Sequence, residues 1–293
     1  MMPERQFTVI GSAESGKTTY FAALYYLLKN ADSQYAFRLN LKHEILDRTY
    51  LNEISQKWAE LEEIDHTVTG FWGKLELPLT DKDDNNPFVV FIPDLAGEFF
   101  NKTLESRTWE KAFADQLSQS YGILLFINVL DYRHVVALSG KPQRDPKKVQ
   151  ARNESQIVLW EPDIQKLPSD VVYTDLIQQV YYQNQSQRYY LSIILSAWDV
   201  IVNAPSKREQ AFYNHPEQYF RERFPMLSQF LESHSTTFHM KVFGVSAYGC
   251  DPTRAEQRQQ LEDVEPFERV KVVGPDGPSH DITLPLLHLL TND

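Results

Sequence analysis

A single cysteine, Cys250, among 293 residues removes two kinds of chemistry: the chain can close no internal disulfide and build no thiolate metal site. That usage suits a reducing cytoplasm, and Cys250 itself reads as a small packed residue. Long hydrophobic runs are also missing, and none approaches the roughly 20 apolar residues that span a bilayer. Positive charge is short, with 29 Lys plus Arg against 40 Asp plus Glu. The resulting formal charge of -11 argues against a general affinity for nucleic acid or anionic membrane surfaces. Eight histidines, His234 and His239 among them, show no metal-ligand spacing, which leaves them surface or packing roles. No internal repeat, low-complexity tract or targeting segment is expected. What remains is a globular chain whose 42% hydrophobic content suffices for a substantial core.

The stretch that organises the chain is Gly11-Ser12-Ala13-Glu14-Ser15-Gly16-Lys17-Thr18, followed by Thr19. It matches G-x-x-x-x-G-K-[ST] and comes directly after the β-prone run Phe7-Thr8-Val9-Ile10. Glycines let the backbone wrap around phosphate oxygens, the N–H groups of a helix start favour negative charge, and Lys17 adds a cation. Thr18 would place its hydroxyl on a magnesium ion. The competing reading is a glycine-punctuated strand-to-helix turn with no ligand.

Further along, helical spacing of Tyr20, Phe21, Leu24, Leu27 and Leu28 predicts a helix from Lys17 to about Leu28. Tyr35 to Leu41 alternates like a short strand, and His43 to about Leu61 reads as a helix. A loop from Thr67, a strand to Leu79 and a hairpin turn over Asp81 to Asn86 precede the wholly apolar run Phe88-Val89-Val90-Phe91-Ile92. That run ends at Pro93-Asp94-Leu95-Ala96-Gly97-Glu98. An acidic residue at such a strand end can hold a magnesium-coordinated water, and Gly97 lets its N–H approach a terminal phosphate.

Asp94-Leu95-Ala96-Gly97-Glu98 resembles the D-x-x-G-[QE] switch of translation-factor-related and small GTPases. Glu98 stands where small GTPases usually carry a glutamine that orients the attacking water; a carboxylate accepts a hydrogen bond but lacks the amide donor. A solvated acid at a helix start is the other reading of Glu98. From Phe99 to about Ser120 the pattern is helical. Arg107 within it is either a cation able to reach the nucleotide or solvated surface.

Gly122 to Leu130 and Tyr189 to Leu195 read as further buried parallel strands. The second runs into Ser196-Ala197-Trp198-Asp199, the place of [NT]-K-x-D in the resembled family. There the resemblance implies that Asp199 binds guanine: a carboxylate accepts from the paired N1–H and N2–H₂ donors and leaves adenine's acceptor unmatched. Ser196 would replace the asparagine or threonine, Ala197 lacks the lysine stem, and Trp198 would shield the nucleotide or pack underneath. The alternative for Asp199 is a helix N-cap. Phe238 to Val245 should be the last strand, with Ser246-Ala247 matching the turn that offers backbone N–H groups to guanine O6. A hairpin around Gly274 to Pro278 and a closing helix through Pro285 complete the chain.

The expected fold is α/β, a doubly wound and mostly parallel sheet of the Ras-like P-loop type, forming one GTPase domain over 1–293. Insertions are expected at about 31–66, 132–187 and 203–235. The layout also resembles predicted double-GTPase proteins of bacterial conflict systems, which implies a role in antiviral defence and a partner GTPase or effector protein. The resemblance implies GTP and GDP as ligands with Mg²⁺ held by Thr18, Asp94 and a switch threonine, either Thr67 or Thr69. Lys17, Gly97 and Glu98 would serve hydrolysis. A nucleotide-binding adaptor that scarcely hydrolyses is the second expectation. An ATP-dependent kinase or ATPase leaves Asp199 and Ser246-Ala247 unexplained.

Overall fold

The computed structural model describes residues 4–31, 37–42, 49–64, 75–82, 86–93, 98–133 and 167–290. Within them lie strands β1 (Arg5–Ile10), β2 (Leu39–Leu41), β3 (Leu75–Asp81), β4 (Phe88–Ile92), β5 (Gly122–Asn128), β6 (Tyr189–Ser196), β7 (Phe238–Ser246), β8 (Lys271–Gly274) and β9 (Gly277–Ser279). They form one nine-stranded sheet in the order β2-β3-β4-β1-β5-β6-β7-β8-β9. The central five, β4-β1-β5-β6-β7, run parallel, while β2, β3, β8 and β9 each pair antiparallel with their neighbours. β7 is therefore not the last strand: Val272 and Val273 of β8 pair alongside it, and β9 pairs onto β8.

The parallel strands are apolar without alternation because helices cover both faces. On one face Phe7, Val9, Leu124 and Phe126 pack with α1 (Lys17–Lys29), α2 (Thr49–Ala59) and, at the chain's far end, a helix over Leu284–Leu290. On the other face Ile123, Leu125, Ile127, Leu191 and Ile193 meet α3 (Glu98–Ser106), α4 (Lys111–Gln119) and α5 (Ser169–Gln183). Each large side chain removed fully from water contributes on the order of 1.5–3 kcal/mol.

The helical pattern expected from Phe99 to Ser120 is broken in two. Arg107 takes a left-handed φ of 52°, so the chain leaves α3 and re-enters a helix only at Lys111. α5 and, after the one-turn helices α6 (Asp199–Val202) and α7 (Lys207–Gln210), α8 (Pro216–Arg223) and α9 (Pro225–Ser233) lie between successive parallel strands. They are the crossover connections that parallel pairing demands, and their Val172, Leu176, Phe220 and Leu227 belong to the core. Buried Asp170 of α5 binds the next crossover, its carboxylate accepting from the N–H groups of Met226 at 2.9 Å and Leu227 at 3.0 Å. Helices α10 (Ala255–Glu262) and α11 (Pro266–Arg269) lead to β8, and α12 is the closing helix, Leu284–Leu290, with Pro285 in its first turn.

From β1 the chain moves to β4 on one side and then returns to β5 on the other. A crevice opens at such a switch point, outside the carboxyl ends of the strands.

Candidate functional site

The segment Gly11 to Thr18 connects the end of β1 to the start of α1 at this switch point. Gly16 is the N-cap residue with φ 86°, a left-handed conformation, and a Cβ there would lie 2.8 Å from the Ser196 Cβ. Only glycine meets both conditions. The first turn of α1 contains no acidic residue, so its unpaired N–H groups keep their attraction for an anion.

Other strands brace this loop through its main chain. The Asn128 amide at the end of β5 donates to the Glu14 carbonyl at 2.8 Å, and the Ser196 hydroxyl at the end of β6 donates to the Ser15 carbonyl at 2.8 Å. Glu14 is itself left-handed, φ 57°, and exposed. The Ser12 hydroxyl meets the Tyr173 hydroxyl of α5 at 2.9 Å. Lys17 is buried, and its ammonium donates to the carbonyls of Gly11 at 2.9 Å and Ser12 at 2.5 Å and to the Ser15 hydroxyl at 3.0 Å. It also lies 5.8 Å from the Phe100 ring centroid. A buried ammonium held by these oxygens is fixed within its own loop. Ala13, Thr18 and Thr19 are half-buried beside it.

Next to this loop is a cavity of about 410 Å³ whose lining includes Gly16, Thr19, Asn128, Ser196, Ala197, Asp199, Ser246 and Ala247. The structure thus brings the loop and both later sequence features to one place. Asp199 is the first residue of α6, and the N-cap position belongs to Trp198, which makes no side-chain cap bond, so the capping explanation of Asp199 fails. Its carboxylate Oδ1 instead accepts from the Ser246 hydroxyl at 2.5 Å, and that hydroxyl accepts from the Gly249 N–H at 2.9 Å. Tyr213 is raised above its ordinary pKa by burial and then by the Asp199 charge, and Cys250 is raised by the same two causes in the same order.

Trp198, expected among the nucleotide-binding residues, packs underneath. Its indole is buried, donates to the Tyr213 carbonyl at 2.9 Å and lies where a Cβ on Gly244 would come within 2.5 Å of the ring. Ala197 adopts φ 54°, which turns the chain so that the indole enters the core while Ala197 and Asp199 face the cavity.

Asn128, Asn203, Cys250, Arg254 and Gln257 also line the cavity and were not marked by the sequence. Cys250, expected to be merely packed, is half-buried there. Arg107 pairs with Asp175 at 3.4 Å, and its side chain is 76% exposed.

Thr67, Thr69, Asp94 and Gly97 lie outside the described residues. The Glu98 backbone opens α3, and its side chain is likewise outside the description. Of the magnesium ligands expected, Thr18 alone is described, at the start of α1. Among the described residues no group of three His, Cys, Asp or Glu is placed to hold a metal, and no helix is long and apolar enough to cross a membrane.

Several solved structures align with this chain at low likeness. The signal recognition particle receptor SRb-GTP/SRX complex from Chaetomium thermophilum aligns over 90% of this chain and 100% of its own, at 11% identity and a TM-score of 0.38. The GTP-bound Ski7 GTPase-like domain of S. cerevisiae aligns over 83% of this chain and 42% of its own, at 12% identity and a TM-score of 0.37. Roco2 RocCORdC of Methanosarcina barkeri, bound to GDP, aligns over 92% and 52%, at 10% identity and a TM-score of 0.29. Likeness at that level carries no argument about what this chain binds. No curated protein sequence matches it. The sequence model of the Double-GTPase 1 family, however, matches residues 8–289, nearly the whole length. The chain belongs to the Double-GTPase 1 family.

Proposed function

We propose that this protein is a guanine-nucleotide switch that binds GTP and GDP in the crevice and hydrolyses GTP slowly. The observation that carries the reading is the Asp199 carboxylate, anchored by Ser246 on the wall of a cavity that also includes Gly16 and Thr19 of the phosphate loop. A fixed acceptor with no donor suits guanine's paired N–H donors.

In this reading residues 11–18 cradle the phosphates, Lys17 neutralises their charge, and Ser196, Asp199, Ser246 and Ala247 meet the base. Thr18, at the helix start beside Lys17, fits as one magnesium ligand, with Asp94 and either Thr67 or Thr69 as the others. Magnesium bound there would neutralise phosphate charge. Gly97 would sense the terminal phosphate and Glu98 would hold the attacking water. Turnover is slow because Glu98 lacks an amide donor and no arginine belongs to the phosphate loop. The whole chain would act as one cytoplasmic GTPase domain whose nucleotide state is read by a protein partner, in a defence system. The Ala197 side chain, too short to cover a base, supports the second reading, an adaptor that binds nucleotide and scarcely turns it over.

Calorimetric titration with GTP, GDP and ATP in magnesium tests the base assignment. Wild-type protein should prefer guanine nucleotides, and Asp199→Asn should weaken them by about 100-fold, the loss of two charge-assisted bonds. The same change should improve xanthine nucleotides, because the amide offers a donor to the carbonyl at the 2-position. Equal affinity for ATP sinks the reading. Single-turnover hydrolysis with and without candidate partners then separates switch from adaptor.

A further inference from the structure

Guanine bound as proposed would have its edge on Asp199, but the lysine stem that the resembled motif lays over the base is absent at Ala197. The cavity has another long cation in its wall. Arg254, the N-cap residue of α10, lines the same space as Asp199, Ala197 and Pro205, although 55 positions separate it from Asp199 in sequence. Its side chain is 71% exposed, and among the described residues its guanidinium is paired only with Asp251, Nε to Oδ2 at 3.2 Å.

That pairing orients the arginine without exhausting it. The Asp251 Oδ1 accepts from the Thr253 N–H at 3.0 Å and the Thr253 hydroxyl at 2.6 Å, and the Asp251 N–H is held by Gln257 Oε1 at 2.9 Å. The Thr253 hydroxyl bond is the main reason its carboxyl lies below the usual range, so it stays ionised. The guanidinium is thus tethered by one edge at Nε, and its Nη groups and flat π face remain available to the cavity. A planar, weakly hydrated cation of this kind stacks on an aromatic surface.

We infer that Arg254 is a base-covering, affinity-determining residue: its guanidinium stacks on the face of the guanine whose edge Asp199 binds, in place of the missing lysine. This rests on the guanine-nucleotide reading of the cavity.

The test is calorimetric titration of the full chain and of Arg254→Ala, Arg254→Lys and Arg254→Met with GDP and with guanosine. Stacking on the base predicts the same loss for both ligands in Arg254→Ala, roughly three- to tenfold, with a smaller loss in Arg254→Lys and Arg254→Met intermediate. The exposed position means that unfolding midpoints should stay unchanged. Unaltered affinity in all three variants, or a loss confined to GDP as expected of a phosphate contact, overturns the inference while leaving the guanine site standing. Failure of the wild-type chain to bind either ligand removes the guanine reading and the inference with it.

Discussion

The two ends of the crevice are made differently. At the end proposed to hold phosphate, one contiguous stretch, Gly11 to Thr18, runs from the end of β1 into the first turn of α1, and the partners that brace it, Asn128 and Ser196, grip carbonyl oxygens. At the end proposed to hold the base, Asp199, Ser246 and Arg254 come from three separate segments and are organised by side chains: a hydroxyl on a carboxylate, a carboxylate on a guanidinium. The first is a device of backbone shape, the second of functional groups. A backbone device should be intolerant of added bulk, while a side-chain device should lose affinity in steps without losing the fold.

The largest expected effect tests the first half of that contrast. Gly16→Ala forces a residue with a Cβ into φ 86° and against Ser196, where contact would be 2.8 Å. Left-handed backbone alone costs about 1–2 kcal/mol, so with the contact a stability loss of at least about 2 kcal/mol is expected in urea unfolding, together with loss of nucleotide binding. A fold and an affinity both unchanged would break the comparison.

Ser246→Ala addresses the other end. It removes the hydroxyl that fixes Asp199, one bond worth roughly 1 kcal/mol, so guanine-nucleotide affinity should fall about fivefold by calorimetry. Selectivity over ATP should persist, since the carboxylate remains. A collapse of stability comparable to that of Gly16→Ala would show the two ends to be alike after all.

The smallest effect is a labelling rate. Cys250 lines the base end and is the chain's one thiol, raised by burial and by the Asp199 carboxylate. The thiolate is the reactive form, so alkylation by iodoacetamide should be slow at neutral pH and climb with pH above the range where an ordinary thiol has levelled off. GDP should protect Cys250 and pyrophosphate should not. Equal protection by both would place the thiol at the phosphate end.

The same contrast decides what could be read without coordinates. The phosphate loop was legible because its residues are contiguous and its strand and helix adjoin it. Asp199 and Ser246-Ala247 were legible only through their order along the chain and the family pattern they resemble. Arg254 and Cys250 carry no local signal, since it is the pairing of β6, β7 and the later hairpin that brings their loop to the cavity. One departure in the fold has a local cause: the α3–α4 break occurs at Arg107, whose left-handed φ of 52° comes with neither glycine nor proline to announce it. The short run at Val272 gave no sign of which strand it would join.

The sheet's outer strands bear on assembly. Among the described residues both edges are three residues long, Leu39–Leu41 on one side and Gly277–Ser279 on the other, and the second contains Pro278, which has no N–H to offer a ladder. Such short edges give little purchase to an incoming strand, which guards the parallel centre against edge-to-edge aggregation. The protein partner proposed above would therefore be met by side chains on helices and loops.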